Sequence, residues 1–334
     1  MRKFLFNLLL LILFLVVFTG CKESSTSLTG TIKDEKNEVL SNVTILLNGL
    51  SVKSDNKGVF TFKNLETKKY KLSVNLEGFY PYETEVDISQ GENKLNVSLK
   101  YTTLTRARKR GYLLVGSDVT YPPFEYMENG KPIGFDVDLI NVVAKEIGLD
   151  RAEVIDTAWD GIFAALKTEK FDIIISSVTI TDERKKEMLF SDPYYNSGQI
   201  IAVRKDDNRI KNENDLKGMV VGVQINTTGD FSAQKIPGIK EVKRYDDIQQ
   251  AFQDLEIKRI DAILNDLPVN AYFASTRPNI KLVGTLLTKE QYGICTRLVD
   301  SDLINEINSA LKKIRESGKY REIYIKWFGV EPVD

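Results

Sequence analysis

Hydrophobic and polar residues follow two different patterns along the chain. Between residues 28 and 100, short runs such as TGTIKD, GVFTF and YKLSVNL alternate apolar with polar residues and are separated by Asn, Asp, Gly and Lys. This alternation is typical of strands that bury one face, so the segment predicts a small all-β sandwich. From about residue 105, strand-like runs alternate with segments of helical spacing such as FDVDLINVVAKEIG. That order predicts an α/β fold with mainly parallel sheets covered by helices.

The first residues have the pattern of a secretory signal. Two basic residues precede an apolar run from Phe4 to Phe18, which ends in TGC at Cys21 and is shorter than the ~20 residues of a spanning helix. Small residues before a lone cysteine resemble the lipobox of bacterial lipoproteins, which implies a signal peptide at 1–20, a lipid such as palmitate on Cys21 and a polar tether at 21–27. We therefore expect a lipid-anchored protein of the cell envelope that faces the periplasm or the exterior. A simple signal peptide or a single membrane-spanning anchor is the alternative.

Composition narrows the classes of function. The 334 residues include 46 Lys and Arg against 47 Asp and Glu, and no His. Balanced charge argues against a nucleic-acid partner. Without His there is no Ser–His or Cys–His nucleophile and no use of the commonest zinc ligand, so we expect neither catalysis nor a cofactor or metal. Cys295 lies in the alternating run YGICTRL and is predicted to be a small core residue.

Polar and aromatic side chains follow several predicted strands of the second segment, and ligands of such sheets bind at the carboxyl ends of strands. The candidates from these positions are Asp118, Tyr121, Trp159, Ser176, Ser177, Thr179, Arg184, Thr228, Gly229 and Asp266. Arg184 suits a carboxylate, because its guanidinium binds two oxygens at once. Asp266 suits an ammonium group. A carboxylate and an ammonium held together describe an α-amino acid, whose side chain would meet Asp118 and the two aromatic rings.

These features lie in a stretch, from about residue 108 to 330, that resembles the extracellular solute-binding proteins of family 3, the periplasmic polar-amino-acid-binding proteins of ABC importers. The runs that carry the resemblance are GSDVTYPPFEY, GFDVDL, WDGIFAAL, FDIIISSVTITDERKKEMLFSDPYY, LKGMVVGVQ with TTGD, RIDAILNDLP and EQYGI. The family implies a two-lobed periplasmic-binding-protein fold with two hinge strands. Lobe 1 would comprise about 108–198 and 292–334, and lobe 2 about 203–288, within an amino-acid-binding domain at 105–334. Residues 28–100 resemble the carboxypeptidase regulatory-like β-sandwich.

The family's binding pattern implies roles at the α-carbon end of the ligand. Ser177 would offer its carbonyl, and Asp266 its carboxylate, to the amine. Arg184 and the N–H groups of Thr228–Gly229 would hold the carboxylate, and Thr179 would serve both groups, with its hydroxyl toward the amine. The segment INTTG departs from the glycine that the family more often has before its paired threonines, so which of the two threonines takes this role stays open.

The same pattern implies a site for the ligand's side chain. Tyr121 and Trp159 would sandwich it, and Asp118 would contact its end. Together with Ser176 and Ser177, these residues resemble those of the family's lysine, arginine, ornithine and histidine binders more than those of its acidic-ligand binders. Gln224 lies near the position where glutamine binders have a lysine. We expect a basic amino acid as the ligand, and glutamine as the second candidate.

The expected function is that of a monomeric substrate-binding lipoprotein whose partners are a free amino acid and an ABC permease in the inner or cell membrane. Two alternatives stay open. Cyclohexadienyl dehydratases share the fold and overall resemblance, so turnover of prephenate or arogenate would indicate an enzyme. The extra β-sandwich at 28–100 motivates a ligand-sensing surface lipoprotein, which deletion of the sandwich without loss of uptake would separate from transport.

Overall fold

The structure, a computed structural model, describes residues 25–332. The predicted signal peptide and the predicted lipidation site, Cys21, lie outside the described residues. The chain folds into two compact units, one ending at Lys100 and one beginning at Tyr101. Among the helices that the structure describes, none combines the length and the apolar character needed to cross a membrane.

The first unit is the β-sandwich predicted from the alternating runs. Its strands are β1 (Ser27–Asp34), β2 (Thr44–Leu47), β3 (Leu50–Lys53), β4 (Val59–Phe62), β5 (Lys69–Val74), β6 (Tyr82–Asp87), β7 (Glu92–Lys94) and β8 (Val97–Leu99). One sheet has the order β4-β1-β7, with β8 also paired to β1, and the other has the order β3-β2-β5-β6. Both sheets contribute to one core, since Leu28 and Phe60 of the first pack in one cluster with Ile45 and Leu72 of the second.

The second unit contains two five-stranded sheets, one in each lobe. Lobe 1 has the order β13-β9-β14-β23-β15, made of β13 (Arg151–Asp156), β9 (Tyr112–Ser117), β14 (Ile173–Ile174), β23 (Cys295–Arg297) and β15 (Met188–Phe190). Lobe 2 has the order β19-β18-β20-β17-β21, made of β19 (Glu241–Tyr245), β18 (Val220–Gln224), β20 (Ala262–Asp266), β17 (Gln199–Arg204) and β21 (Ile280–Val283). Cys295 is fully buried, as predicted.

The expectation of mainly parallel sheets is met in the direction of four of the five strands in each sheet, and the fifth strand, which comes from the hinge, runs the other way. β9 pairs in parallel with β13 and β14, but β23 is antiparallel to both of its neighbours, and β17 is antiparallel to β20 and β21. The reason is the hinge, an antiparallel ribbon of β16 (Tyr195–Ser197) and β22 (Glu290–Tyr292) that leads directly into β17 and β23. A strand that arrives from the hinge enters its sheet at the end where the parallel strands finish, so it runs against them.

Helices cover these sheets, and a small sheet of β10 (Thr120–Tyr121), β11 (Glu125–Glu128) and β12 (Lys131–Ile133) lies within lobe 1. The helices are α1 (Thr103–Arg110), α2 (Phe135–Glu146), α3 (Trp159–Lys167), α4 (Asp182–Lys185), α5 (Thr228–Lys235), α6 (Ile248–Glu256), α7 (Leu267–Thr276), α8 (Ser301–Glu316) and α9 (Lys319–Phe328), with a 3₁₀ turn at Glu213–Leu216. The buried residues of α2 recur three to four apart, as the helical spacing predicts.

Gly134 fixes the start of α2 beside the site. It is the N-cap residue, with φ at 137°, and a Cβ there would lie 1.9 Å from the carbonyl oxygen of Phe124. Gly148, at φ 82°, has nothing within 4 Å of such a Cβ. We expect Gly134→Ala to lower the free energy of unfolding by about 3 kcal/mol or more and Gly148→Ala by about 1 kcal/mol, because only the first adds a steric clash to backbone strain.

Urea unfolding followed by tryptophan fluorescence measures this difference in the second unit alone, since both tryptophans of the chain, Trp159 and Trp327, lie there. Equal losses in the two alanine variants would contradict the steric argument.

Candidate functional site

A cavity lies where strand ends of the two lobes meet, the place where ligands of α/β sheets bind. All of the residues predicted to bind the ligand line this cavity, and so do Glu125, Gln199, Thr227 and Asn265. The structure therefore brings the whole predicted set into one place.

The lobe 1 wall is a turn after β14 that is supported from below by buried carboxyl groups. Ser177 lies in the left-handed region at φ 49°, and its N–H donates to Asp136 at 3.0 Å. The Ser176 hydroxyl donates to Glu125 at 3.0 Å and accepts the N–H of Asp118 at 2.9 Å. These bonds hold the serine turn and the end of β9 in one arrangement.

Arg184 supplies a cation without an anionic partner among the described residues. It belongs to the short helix α4, where the Thr181 hydroxyl caps its backbone N–H at 3.2 Å. Nη1 donates to the carbonyl of Thr179 at 2.8 Å, and the guanidinium lies 5.2 Å from the ring centres of Trp159 and Phe163. Burial lowers the pKa of Arg184. A positioned cation with open donors is a site for an anion.

Asp266, at the end of β20, is the corresponding acid of lobe 2. It is 5% exposed and accepts hydrogen bonds from the hydroxyls of Tyr121, at 2.9 Å, and Tyr292, and from the Gln199 amide. Burial, and then the charge of Glu290, raises the pKa of Asp266 to about 7. All three donors are neutral, so an ammonium group entering the cavity would stabilise the ionised form.

Glu290, on the hinge strand β22, is a polar group of the site that the sequence analysis missed. Its carboxylate accepts the hydroxyls of Thr179 and Thr228, both at 2.8 Å, and of Thr288 at 2.7 Å. It therefore links one threonine of each lobe through the hinge. The Thr179 hydroxyl, expected to face the ligand's amine, is engaged by Glu290 instead. The motif EQYGI contains Glu290, but a sequence motif does not say where a strand side chain points.

The remaining end of the cavity is acidic. Asp118 is 5% exposed and accepts the Thr120 hydroxyl at 2.9 Å and, from lobe 2, the Gln224 amide at 2.8 Å. Burial raises the pKa of Asp118 to about 6, and the nearby charges of Asp156 and Asp247 act in the same direction. Glu125 lines the cavity beside it, and Arg184 is the one Lys or Arg among the described lining residues.

Direct contacts between the lobes show that the structure is closed. The Tyr121 hydroxyl donates to the side chain of Asn265 at 2.8 Å, and the Trp159 indole donates to the carbonyl of Asn226 at 3.2 Å. Asn226 adopts φ 58°, which explains how it replaces a glycine. Thr227 is the N-cap residue of α5, and its hydroxyl accepts the N–H of Asp230.

Comparison with known proteins identifies both segments. Residues 113–330 match the sequence model of the bacterial extracellular solute-binding proteins, family 3. Residues 27–100 match the model of the carboxypeptidase regulatory-like domain. Both resemblances found in the sequence are thereby confirmed.

Individual relatives are similar over the second segment. The L-cystine-binding protein TcyJ of Escherichia coli K12 is 36% identical over 232 residues, which cover 68% of this chain and 86% of that protein. The arginine-bound form of truncated ArgBP from T. maritima is 44% identical with a TM-score of 0.60, covering 63% of this chain and 99% of that one. The ancestral amino acid-binding protein AncCDT-1, a precursor of cyclohexadienyl dehydratase, is 41% identical with a TM-score of 0.65, covering 68% and 100%.

Proposed function

This chain belongs to the bacterial extracellular solute-binding proteins of family 3, and from that premise we propose that it is the amino-acid-binding lipoprotein of an ABC importer. Its ligand is a basic amino acid, arginine or lysine, with glutamine as the second candidate. It carries out no chemical conversion of that ligand and needs no cofactor.

The observation that carries this proposal is the pair of opposite charges on the two lobes around one cavity. Arg184, which has no ion-pair partner among the described residues, lines the cavity from lobe 1, and Asp266 lines it from lobe 2. An α-carboxylate on Arg184 leaves the α-ammonium group for Asp266. The two groups of every amino acid then have partners of opposite charge in different lobes, so a bound ligand stabilises the closed form by its greater affinity for it.

The acidic far end supports a basic side chain. Asp118 and Glu125 lie there without a lysine or arginine among the described lining residues. A guanidinium or ammonium group would supply the missing positive charge between the rings of Tyr121 and Trp159. Glutamine could use the same hydrogen-bonding groups but would leave the carboxyl groups without a counter-charge. The relatives whose names state arginine or cystine are consistent with an elongated ligand.

The rest of the proposal concerns the protein's attachment and partners in the cell envelope. A lipid on Cys21 would anchor the protein to a membrane, and a permease would recognise the closed form. The protein acts as a monomer, because one cleft in one chain binds the ligand. The β-sandwich at 28–100 serves as a spacer or adhesive module.

A thermal-shift screen of the purified protein tests the proposal. The ligands are the twenty amino acids, ornithine, citrulline, prephenate and arogenate. Selective stabilisation by arginine or lysine that grows with ligand concentration is expected. No shift with any amino acid would overturn the proposed function. A shift with prephenate or arogenate alone, followed by their turnover, would establish the dehydratase alternative.

The pH dependence of the ligand-free protein should run opposite to that of binding. The pKa values of Asp118 and Asp266 are raised by burial from 3.8 to about 6 and about 7. The folded state therefore binds more protons than the unfolded state between pH ~4 and ~7, and stability falls as pH rises through that window. Affinity for an amino acid should rise instead, because its ammonium group needs ionised Asp266.

Thermal unfolding followed by tryptophan fluorescence at pH 5 and pH 7.5 measures both effects. We expect the midpoint without ligand to be at least ~3 °C lower at pH 7.5, and the ligand-induced shift to be larger there. A ligand-induced shift of the same size at both pH values would show that Asp266 does not titrate with binding.

A further inference from the structure

Two buried carboxyl groups below the serine turn lack a counter-charge. Glu125, on β11, and Asp136, in the first turn of α2, are both fully buried. One oxygen of each is satisfied, since Oε1 of Glu125 accepts the Ser176 hydroxyl and Oδ2 of Asp136 accepts the Ser177 N–H and, at 2.7 Å, the Tyr194 hydroxyl. The other oxygens, Oε2 of Glu125 and Oδ1 of Asp136, have no donor among the described residues.

The two carboxyl groups lie below the same turn, because Glu125 accepts the hydroxyl of Ser176 and Asp136 accepts the N–H of the next residue, Ser177. Ionised carboxylates only accept hydrogen bonds, so two of them can bond to each other only when one carries a proton. A shared proton also accounts for the two oxygens that lack a protein donor. In a buried pair of this kind, like charges cannot both ionise near neutral pH.

The surroundings of the pair keep the proton there. The Tyr194 hydroxyl donates to Asp136 at 2.7 Å, and the charge of Asp118 acts to raise the pKa of Glu125 further. Tyr121 and Tyr320 also lie near the pair, since burial and nearby carboxyl charges raise the pKa of each. None of the described lysine or arginine side chains forms an ion pair with either carboxyl. Burial and the charge of Asp136 raise the pKa of Glu125 well above its ordinary value.

Glu125 also faces the acidic end of the ligand cavity, beside Asp118. A positively charged ligand side chain would bring to this end the cation that the pair lacks. A neutral side chain would not, and it could use the protonated carboxyl as a hydrogen-bond donor. The pair thus has an ionised state that suits a positively charged ligand side chain and a protonated state that suits a neutral one.

We propose that Glu125 and Asp136 share one proton in the ligand-free protein, that the pair releases this proton when the ligand's side chain is positively charged, and that it keeps the proton when the side chain is neutral. The balance is one proton transferred from the Glu125 carboxyl to solvent, which leaves a carboxylate opposite the ligand's cation. Glu125 is then a specificity-determining residue. This inference rests on the proposed amino-acid-binding function.

Calorimetric titration of the full protein with arginine and with its neutral isostere citrulline tests the proposal. Titrations at pH 8 in two buffers of different ionisation enthalpy give the number of protons released by each ligand. Asp118 and Asp266 are largely ionised at that pH, and the α-ammonium group that Asp266 would meet is common to both ligands. We expect arginine to release about one proton more than citrulline.

Three variants separate the pair from its neighbours. Glu125→Gln keeps a donor toward Asp136 and an acceptor for Ser176, so the fold should persist. It should abolish the difference in released protons and weaken arginine about tenfold or more while citrulline binds as before. Asp136→Asn should also abolish the difference, because its amide can donate to an ionised Glu125. Asp118→Asn should keep the difference.

The possible outcomes separate a failure of the shared-proton inference from a failure of the proposed amino-acid-binding function. Equal proton release by arginine and citrulline in the unmodified protein would overturn the shared-proton inference and leave amino-acid binding intact. Persistence of the difference in both Glu125→Gln and Asp136→Asn would assign the proton to another group and overturn it too. Absence of binding by every amino acid would instead overturn the proposed function.

Discussion

Replacement of Arg184 by alanine is expected to raise the dissociation constant of every amino acid at least ~100-fold. The guanidinium is held by the Thr179 carbonyl and by the rings of Trp159 and Phe163, and among the described residues it has no anionic partner. Charge-assisted hydrogen bonds contribute about 1.5 to 3 kcal/mol each, and a carboxylate left buried without its partner loses more. Isothermal titration with arginine, lysine and glutamine measures the loss.

Two variants control for indirect effects of this change. Lys185→Ala removes the neighbouring charge, which is exposed and forms a long surface ion pair of 3.9 Å with Asp182. This variant should leave the affinity for amino acids within about twofold of the unmodified protein. Arg184→Lys keeps the charge without the two-pronged geometry and should give an intermediate loss. A large loss in Lys185→Ala, or an undiminished affinity for any one ligand in Arg184→Ala, would contradict the assignment of Arg184 to the α-carboxylate.

The second large effect is expected at Asp118, and it should be selective. Asp118→Asn can still accept the Gln224 amide, so the contact between the lobes persists while the charge is lost. We expect affinity for arginine and lysine to fall by about 2 kcal/mol, roughly 30-fold, and affinity for glutamine to change less than threefold. Competition binding with the three ligands measures the change in preference.

Asp156→Asn is the matched control, because Asp156 acts on Asp118 through its charge but is itself exposed to solvent. Solvent screens such a charge, so this variant should shift the preference only slightly. If Asp118→Asn weakens all three ligands alike, the division between a common α-amino-acid grip and a selective far end is wrong.

The variants of Arg184 and Asp118 test residues that the sequence analysis had already identified. Those residues could be identified because the evidence for each lies in its neighbours along the chain. Asp118 directly follows a predicted strand, and Arg184 lies in the charged helix start after the run FDIIISSV. Strand ends of α/β sheets meet at one edge, so the type and order of residues are enough to predict that these groups lie together. The same argument applies to Asp266, the last residue of β20, and to the serines after β14. The roles of these residues in binding remain predictions.

Residues whose partners lie far away in the sequence could not be identified in this way. Glu290 lies on the hinge strand β22, Gln199 is the first residue of β17, and Glu125 and Asp136 lie on different elements below the serine turn. Each is one more polar residue in a strand or a helix start, and nothing in its immediate neighbours indicates burial or a partner. Their contacts join residues far apart in the sequence, for example 41 positions from Ser177 to Asp136 and 111 positions from Thr179 to Glu290.

Periodicity and residue type depend on near neighbours along the chain, so they were enough to predict the two-part organisation and the groups at the strand ends, while the resemblance to the family implied the lobes and the hinge strands. The three-dimensional packing was needed to show that the strands from the hinge run antiparallel to their neighbours, that Glu290 accepts the threonine hydroxyls and that two buried carboxyl groups lie below one turn without a counter-charge. Strand direction and the partner of a buried polar group depend on which distant segments pack together. Burial then decides whether a carboxyl group keeps its proton, since solvent no longer stabilises its charge.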